Sequence, residues 1–159
     1  MNSVKIEIKW AIIFFVATLL WMWLERLVGL HDQYIEKHAV YTNFFAIIAI
    51  AIYVLALLNK RRAFYQGTMT YWQGVQAGLW LTFFIVLLVP LAQFITHTWI
   101  TPDYFHNISQ HAVSLEQMTP DQAQAYFSLP HYIQLSVIMA AVMGFVTTLV
   151  VAVFTRRSN

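Results

Sequence analysis

Cysteine is absent from the chain, and charged residues are scarce, at 10% of the 159 residues. The lack of cysteine excludes a disulfide framework and thiol chemistry. A soluble domain carries about 25% charged residues, so this chain has too few to cover a water-facing surface. The net charge of +2 is too small to indicate a nucleic-acid partner.

Long runs without charged residues make up most of the chain. No Asp, Glu, Lys or Arg occurs in residues 39–59, 63–102 or 122–155. About 20 apolar residues cross the roughly 30 Å hydrocarbon core of a bilayer as a helix. The sequence therefore predicts an all-α polytopic membrane protein, a single domain over residues 1–159. Its four transmembrane helices are expected at residues 10–30, 39–58, 75–100 and 131–154.

The basic residues indicate the orientation of these helices. Seven of them flank the predicted helices on one side of the membrane: Lys5, Lys9, Lys60, Arg61, Arg62, Arg156 and Arg157. The connections on the other side hold Lys37 against five acidic residues. This positive-inside pattern predicts a bacterial cytoplasmic (inner) membrane protein with both ends of the chain in the cytoplasm. No small-x-small cleavage site follows the first apolar run, so we expect a retained anchor rather than a signal peptide.

The longest segment outside the predicted helices covers residues 101–130 and contains two helix-start patterns. Thr101 precedes Pro102, and Thr119 precedes a second Pro-Asp pair with Gln122 three residues after it. Threonine caps helix N-termini, proline suits the first helical position, and a glutamine at the third position completes a capping box. The segment is therefore expected to form a two-helix extracytoplasmic cap.

The order of these parts carries a family resemblance. The segments that carry the resemblance are "FYQGTMTYWQGVQAGL" with the basic loop, "ITPDYF" and "TPDQAQAYF" in the outer segment, and "FSLP" at the start of the last helix. The strongest single positions are Gly67, Gly74, Gly78, Pro102 and Asp103. The chain resembles the bacterial domain-of-unknown-function four-one-nine-nine family of small four-helix integral membrane proteins. The resemblance implies the four-helix topology and no activity.

Glu25 and Arg26 interrupt the first apolar run. If the helix enters the hydrocarbon near Trp10, Glu25 lies about 22 Å along it, inside the outer edge of the membrane. Adjacent helical residues point about 100° apart, so each of the two needs a partner from elsewhere. Polar residues expected at the same depth are Asn43, Gln93, Thr96, His97, Gln134 and Ser136.

This polar cluster has two readings that the sequence leaves open. Its members would either hydrogen-bond to one another between helices, at about 0.5–2 kcal/mol each, or line a polar cavity open to the outside, because ionisable residues inside a membrane mark functional pathways.

Six histidines fall on the predicted outer side. Imidazole binds Zn²⁺ and Cu²⁺, and a metal site would combine His97, His106 or His131 with Asp103. No histidine pair has the i, i+4 spacing of helical metal ligands, and no thiolate is available. We therefore expect neither a bound metal nor another cofactor.

Small residues recur at four-residue spacing on the last helix, at Ala140, Gly144 and Thr148. This small-xxx-small pattern allows a second helix to approach closely, within the bundle or in a dimer.

Motifs of known enzyme classes are missing, including phosphate-binding loops, HExxH and nucleophile elbows. No catalytic residue is assigned and catalysis is not expected. The leading prediction is a non-catalytic accessory or scaffold subunit, or a homo-oligomer. Its partners would be membrane lipids, further copies or a larger membrane complex. The alternative is a transport or sensing protein with an outward-facing polar cavity around Glu25 and Arg26.

Overall fold

The computed structural model describes residues 4–157, and the residues beyond them at both ends lie outside this description. The helices are α1 (Lys5–Val28), α2 (Ile35–Tyr41), α3 (Phe45–Ala63), α4 (Tyr71–Ile95), α5 (Tyr104–Ser114), α6 (Pro120–Tyr126) and α7 (Leu129–Thr155). A 3₁₀ turn, Thr42–Phe44, joins α2 to α3, and a π-helical segment, Thr96–Ile100, extends α4.

Four helical stretches are long and apolar enough to cross a membrane within residues 4–157. They are Lys5–Leu27, Ile35–Ala63, Tyr71–Ile100 and Leu129–Thr155. No strand occurs in the same range, although Met69 and Arg157 form an isolated backbone bridge. The predicted all-α fold with four apolar helices is thus confirmed for the described residues.

Capping boxes begin two of the helices. At α6, Thr119 accepts a hydrogen bond from the backbone of Gln122, and the Gln122 side chain accepts one from the backbone of Thr119. This arrangement was predicted and is confirmed. Thr70 and Gln73 form the same box at the start of α4. Each box satisfies two backbone N–H groups that a helix N-terminus leaves without partners.

The predicted N-cap at Thr101 is wrong. Helix α5 begins at Tyr104, with Asp103 at its N-cap position and no side-chain cap. The backbone N–H of Thr101 instead donates to the carbonyl of Thr96 at 2.7 Å and closes the π-helical segment. Thr101 therefore belongs to the end of the preceding helix.

The membrane-length helices form a bundle in which α4 packs most extensively against α7. A Cβ atom added at Gly78 would lie 2.5 Å from Cγ2 of Thr148, and one at Gly144 would lie 2.5 Å from Cγ2 of Thr82. Glycine is needed at both positions because the two helices are this close. The hydroxyl of Thr82 also lies 2.8 Å from that of Tyr53, which brings α3 into the same contact.

Of the residues predicted to pack, Gly144 and Thr148 face α4 within the chain. Ala140 lines a cavity of about 470 Å³ between the helices. The Gly144 face is therefore filled by α4, which favours its use inside the bundle over its use in a dimer.

Contacts at one end of the bundle join the start of α1, the end of α3, the start of α4 and the end of α7. We call it the basic end. Trp10 donates to Asn59 at 3.0 Å, and Arg61 donates to the carbonyl of Thr155 at 2.8 Å. Nζ of Lys60 lies 2.8 Å from Oε1 of Glu7, and both side chains are buried. Membrane-length helices that follow one another along the chain are consequently antiparallel.

Candidate functional site

The opposite end, which we call the histidine end, is shaped by the turn that follows α1. Gly29 has φ +83°, in the left-handed region that favours glycine. Its N–H donates to the carbonyl of Arg26, and the N–H of Leu30 donates to that of Glu25, both at 3.0 Å. This pair of bonds is a Schellman motif, which ends a helix and reverses the chain. The reversal returns His31 to the side of Glu25.

Glu25 is the centre of the site, with a side chain that is 2% exposed. Nε1 of Trp21, one helical turn earlier, donates to Oε1 at 2.6 Å. Nε2 of His31 lies 3.1 Å from Oε2, and Nε2 of His38 lies 3.3 Å from the same oxygen. Three ring nitrogens from α1, the turn and α2 thus converge on one buried carboxylate.

Helix α5 closes the site from the side. The hydroxyl of Tyr104 lies 3.3 Å from Nδ1 of His38 and 3.4 Å from the hydroxyl of Tyr132. Asn107 donates to the backbone carbonyl of His31 at 3.0 Å and holds the turn in place. Burial, and secondarily the neighbouring Tyr132, raises the pKa of Tyr104. Tyr104 therefore remains a neutral hydroxyl, which has one hydrogen to donate and lone pairs to accept a second hydrogen bond.

A cavity of about 150 Å³ lies beside the carboxylate. Its lining includes His31, His38, Gln93, His97, Tyr104 and Ser136. Gln93 bridges two of these residues: its Oε1 lies 3.0 Å from Nε2 of His97, and its Nε2 donates to Ser136 at 2.9 Å. Nδ1 of His31 and Nδ1 of His97 are buried without a hydrogen-bond partner within residues 4–157. Buried nitrogens in proteins usually have a hydrogen-bond partner. The cavity is large enough to hold a small polar partner such as water.

Of the seven other residues of the predicted polar cluster, four line the cavity and three do not. Arg26 is exposed and its guanidinium donates to the backbone carbonyl of Ile100 at the end of the π-helical segment. Asn43 is exposed and donates to the carbonyl of Ala39 at 2.7 Å, four residues earlier. Gln134 is also exposed, whereas Thr96 is buried and lines the cavity. The structure thus brings together Gln93, Thr96, His97 and Ser136 around the cavity.

The histidines and the aspartate that the sequence suggested for a metal are not brought together in this way. His106 and Asp103 are exposed, and His106 contacts Gln110 on its own helix. The ring of His131 packs against that of Tyr126. Within residues 4–157, the one group of three or more carboxylate and imidazole side chains whose ligand atoms all lie within 4.8 Å of one another is Glu25, His31 and His38.

The sequence did not predict this group, because the ligand pattern expected of histidines was the i, i+4 spacing on one helix. Glu25 and His31 are six residues apart and His38 follows after seven more, so no two of them have the i, i+4 spacing of helical ligands. The available signal was Gly29, which lies between the first two and is the residue type that ends a helix with a chain reversal.

Four helices of membrane-crossing length, with a buried carboxylate–imidazole cluster at one end, define the chain as a polytopic α-helical membrane protein. The model of the family described as protein of unknown function (DUF4199) matches residues 9–157. The chain belongs to this family, as its sequence pattern predicted. No curated protein and no solved structure matches it.

Proposed function

We propose that the protein resides in a bacterial inner membrane with its basic end in the cytoplasm and its histidine end outside. Lys60, Arg61 and Arg62 end the second membrane-length helix at the basic end, and Arg156 and Arg157 follow the fourth. Cytoplasmic connections carry such an excess of Lys and Arg. In this orientation α5 and α6 form an extracytoplasmic cap next to the Glu25 site.

The function we propose is non-catalytic sensing or transport through the polar site around Glu25. The observation that carries it is the burial of this carboxylate against Trp21, His31 and His38, beside a cavity lined by further polar groups. Ionisable residues inside a membrane protein are costly and mark sites of function.

The arrangement of the partners favours this reading over interhelical hydrogen bonding alone. Trp21, His31 and His38 all lie within 13 residues of Glu25 along the chain, in α1 and the segment that follows it. Hydrogen bonds between the distant helices are made by other residues: Gln93 of α4 donates to Ser136 of α7, and Arg26 of α1 donates to the carbonyl of Ile100. A role for Arg26 in the cavity is not supported, because its side chain is exposed and faces the end of the π-helical segment.

The prediction of an accessory or scaffold subunit remains a prediction, as does assembly into a homo-oligomer or a larger complex. Contact with membrane lipids is expected along the exposed apolar faces of the four long helices. Both kinds of contact are compatible with a sensing or transport site at the histidine end.

Cysteine labelling tests the proposal, since the chain has no cysteine of its own. Ser136→Cys places a thiol on the cavity wall, Ser114→Cys places one on the exposed surface of α5, and Thr68→Cys places one at the basic end. With a membrane-impermeant thiol reagent and intact spheroplasts, the first two should react and the third should react only after lysis. Thr148→Cys, fully buried between α4 and α7, should resist the reagent throughout.

Two results would overturn the proposal. Reaction of Thr68→Cys before lysis would reverse the orientation. Protection of Ser136→Cys in intact spheroplasts, with Ser114→Cys reactive, would show that the cavity is closed to the outside.

A further inference from the structure

We infer that Glu25, His31 and His38 form a binding site for a divalent transition-metal ion of the Zn²⁺ type. This inference rests on the proposed function, since it names the ligand of the same site. It concerns residues that the sequence did not suggest as ligands.

The geometry of the three side chains suits such an ion. Tetrahedral Zn²⁺ lies about 2.0–2.1 Å from nitrogen and oxygen ligands, which places those ligands about 3.3 Å apart. The two Nε2 atoms lie 3.1 Å and 3.3 Å from Oε2 of Glu25. All three ligand atoms fall within 4.8 Å of one another. Two imidazole nitrogens therefore converge on the same carboxylate oxygen at the separation that a shared ion requires.

The groups around these side chains have the positions of outer-shell partners in metal sites. Trp21 occupies Oε1 of Glu25 and leaves Oε2 to face the histidines. The Tyr104 hydroxyl contacts Nδ1 of His38, the ring nitrogen that would not bind the ion. Metal-binding histidines commonly use their second nitrogen in this way, which fixes the tautomer and the ring orientation.

His31 supplies an independent observation. Its side chain is 3% exposed and lines the cavity, and its Nδ1 has no hydrogen-bond partner within the described part of the chain. The protein alone therefore does not saturate the polar groups of this site. A water molecule in the cavity would give Nδ1 the outer-shell hydrogen bond that metal-binding imidazoles use to fix their tautomer.

The chemistry of the ligands selects the ion. Imidazole suits Zn²⁺, Cu²⁺, Fe²⁺ and Ni²⁺, whereas Mg²⁺ and Ca²⁺ prefer sites made of oxygen alone. Three protein ligands leave a fourth position on a tetrahedral ion, as in sites that exchange a water or a substrate. Such an open position suits a site that senses or passes on a metal better than one that holds it permanently.

Metal binding to the purified full-length chain tests the inference. After chelator treatment in detergent, titration with Zn²⁺ should give one ion per chain at micromolar or lower concentration, and Mg²⁺ should give none. Co²⁺ should produce the visible absorption of a tetrahedral site. His31→Gln and His38→Gln keep an N–H group next to Glu25, and each should weaken Zn²⁺ binding at least tenfold.

The matched control is His106→Gln, which removes an exposed histidine that contacts Gln110 on α5. It should bind Zn²⁺ like the unchanged protein. Zn²⁺ should also raise the unfolding temperature of the unchanged protein and of His106→Gln, but not that of His38→Gln. This second measurement shows whether a variant that fails to bind is still folded.

The inference fails if the unchanged protein binds no Zn²⁺ at micromolar concentration, or if His106→Gln weakens binding as much as His38→Gln does. These outcomes are separable from those of the labelling experiment. If Zn²⁺ does not bind but Ser136→Cys is accessible from outside, the metal-binding inference is wrong and the proposal of an outward-facing site stands. If Zn²⁺ binds in detergent but Ser136→Cys is protected in spheroplasts, the metal-binding inference stands and the proposal of an outward-facing site is wrong.

Discussion

Nε2 of His31 lies 3.1 Å from Oε2 of Glu25 although the two residues are separated by a helix end and a chain reversal. The contact depends on Gly29, whose left-handed backbone allows the chain to turn back onto α1. The site is thus built by a local turn, and its geometry should be sensitive to substitutions in that turn.

Gly29→Ala should destabilise the protein and loosen the contact between His31 and Glu25. A left-handed backbone costs a non-glycine residue about 1 kcal/mol, and the added Cβ would lie 2.6 Å from Nε2 of Gln33. Gly67→Ala is the control, since Gly67 also has a positive φ, +99°, but no atom within 4 Å of an added Cβ. Thermal unfolding in detergent should show a larger loss for Gly29→Ala. Equal losses would mean that backbone strain alone matters.

Glu25→Gln and Arg26→Gln compare two adjacent residues of opposite environment. Glu25→Gln should lower the free energy of unfolding by about 1.5–3 kcal/mol, the contribution of hydrogen bonds to a charged group, because three ring nitrogens converge on the buried carboxylate. Arg26→Gln should cost less, since the Arg26 side chain is exposed. Chemical unfolding in mixed micelles measures both. A larger loss for Arg26→Gln would contradict the central role of Glu25.

The sequence predicts the helices well because the apolar character of a membrane helix is a property of one continuous segment. The capping box at Thr119 and Gln122 is equally local, and it is confirmed. The carboxylate–imidazole site was not predicted, since it requires the direction of the chain after Gly29. The contact of Lys60 with Glu7 was missed for a related reason: charge counting assigns Lys60 a side of the membrane but no partner.

The buried contact between Glu7 and Lys60 should show strong energetic coupling. Nζ of Lys60 lies 2.8 Å from Oε1 of Glu7, and Lys60→Met leaves this carboxylate buried without that cation, which is costly. In a double-mutant cycle with Glu7→Gln, the double variant should be more stable than the sum of the single losses predicts, by about 0.5–3 kcal/mol. Pairing Glu7→Gln with Lys9→Met, a change at an exposed lysine of the same helix, should give little coupling. Similar coupling in both cycles would argue against a specific ion pair.

Tyr104 should make stability depend on pH in the alkaline range. Burial raises its pKa above the ordinary value of 10.0 in the folded protein, so the unfolded chain loses the phenolic proton first. The contribution of protonated Tyr104 to the free energy of unfolding is therefore fully present below pH 10 and is lost as pH rises through the folded-state pKa. Tyr104→Phe removes the hydroxyl and its contact with His38. This change should lower the free energy of unfolding by a nearly constant amount throughout the neutral pH range. Above pH 10 the unfolding temperature of the unchanged protein should fall more steeply than that of Tyr104→Phe. Parallel declines of the two proteins up to pH 11.5 would show that the Tyr104 hydroxyl is accessible to solvent.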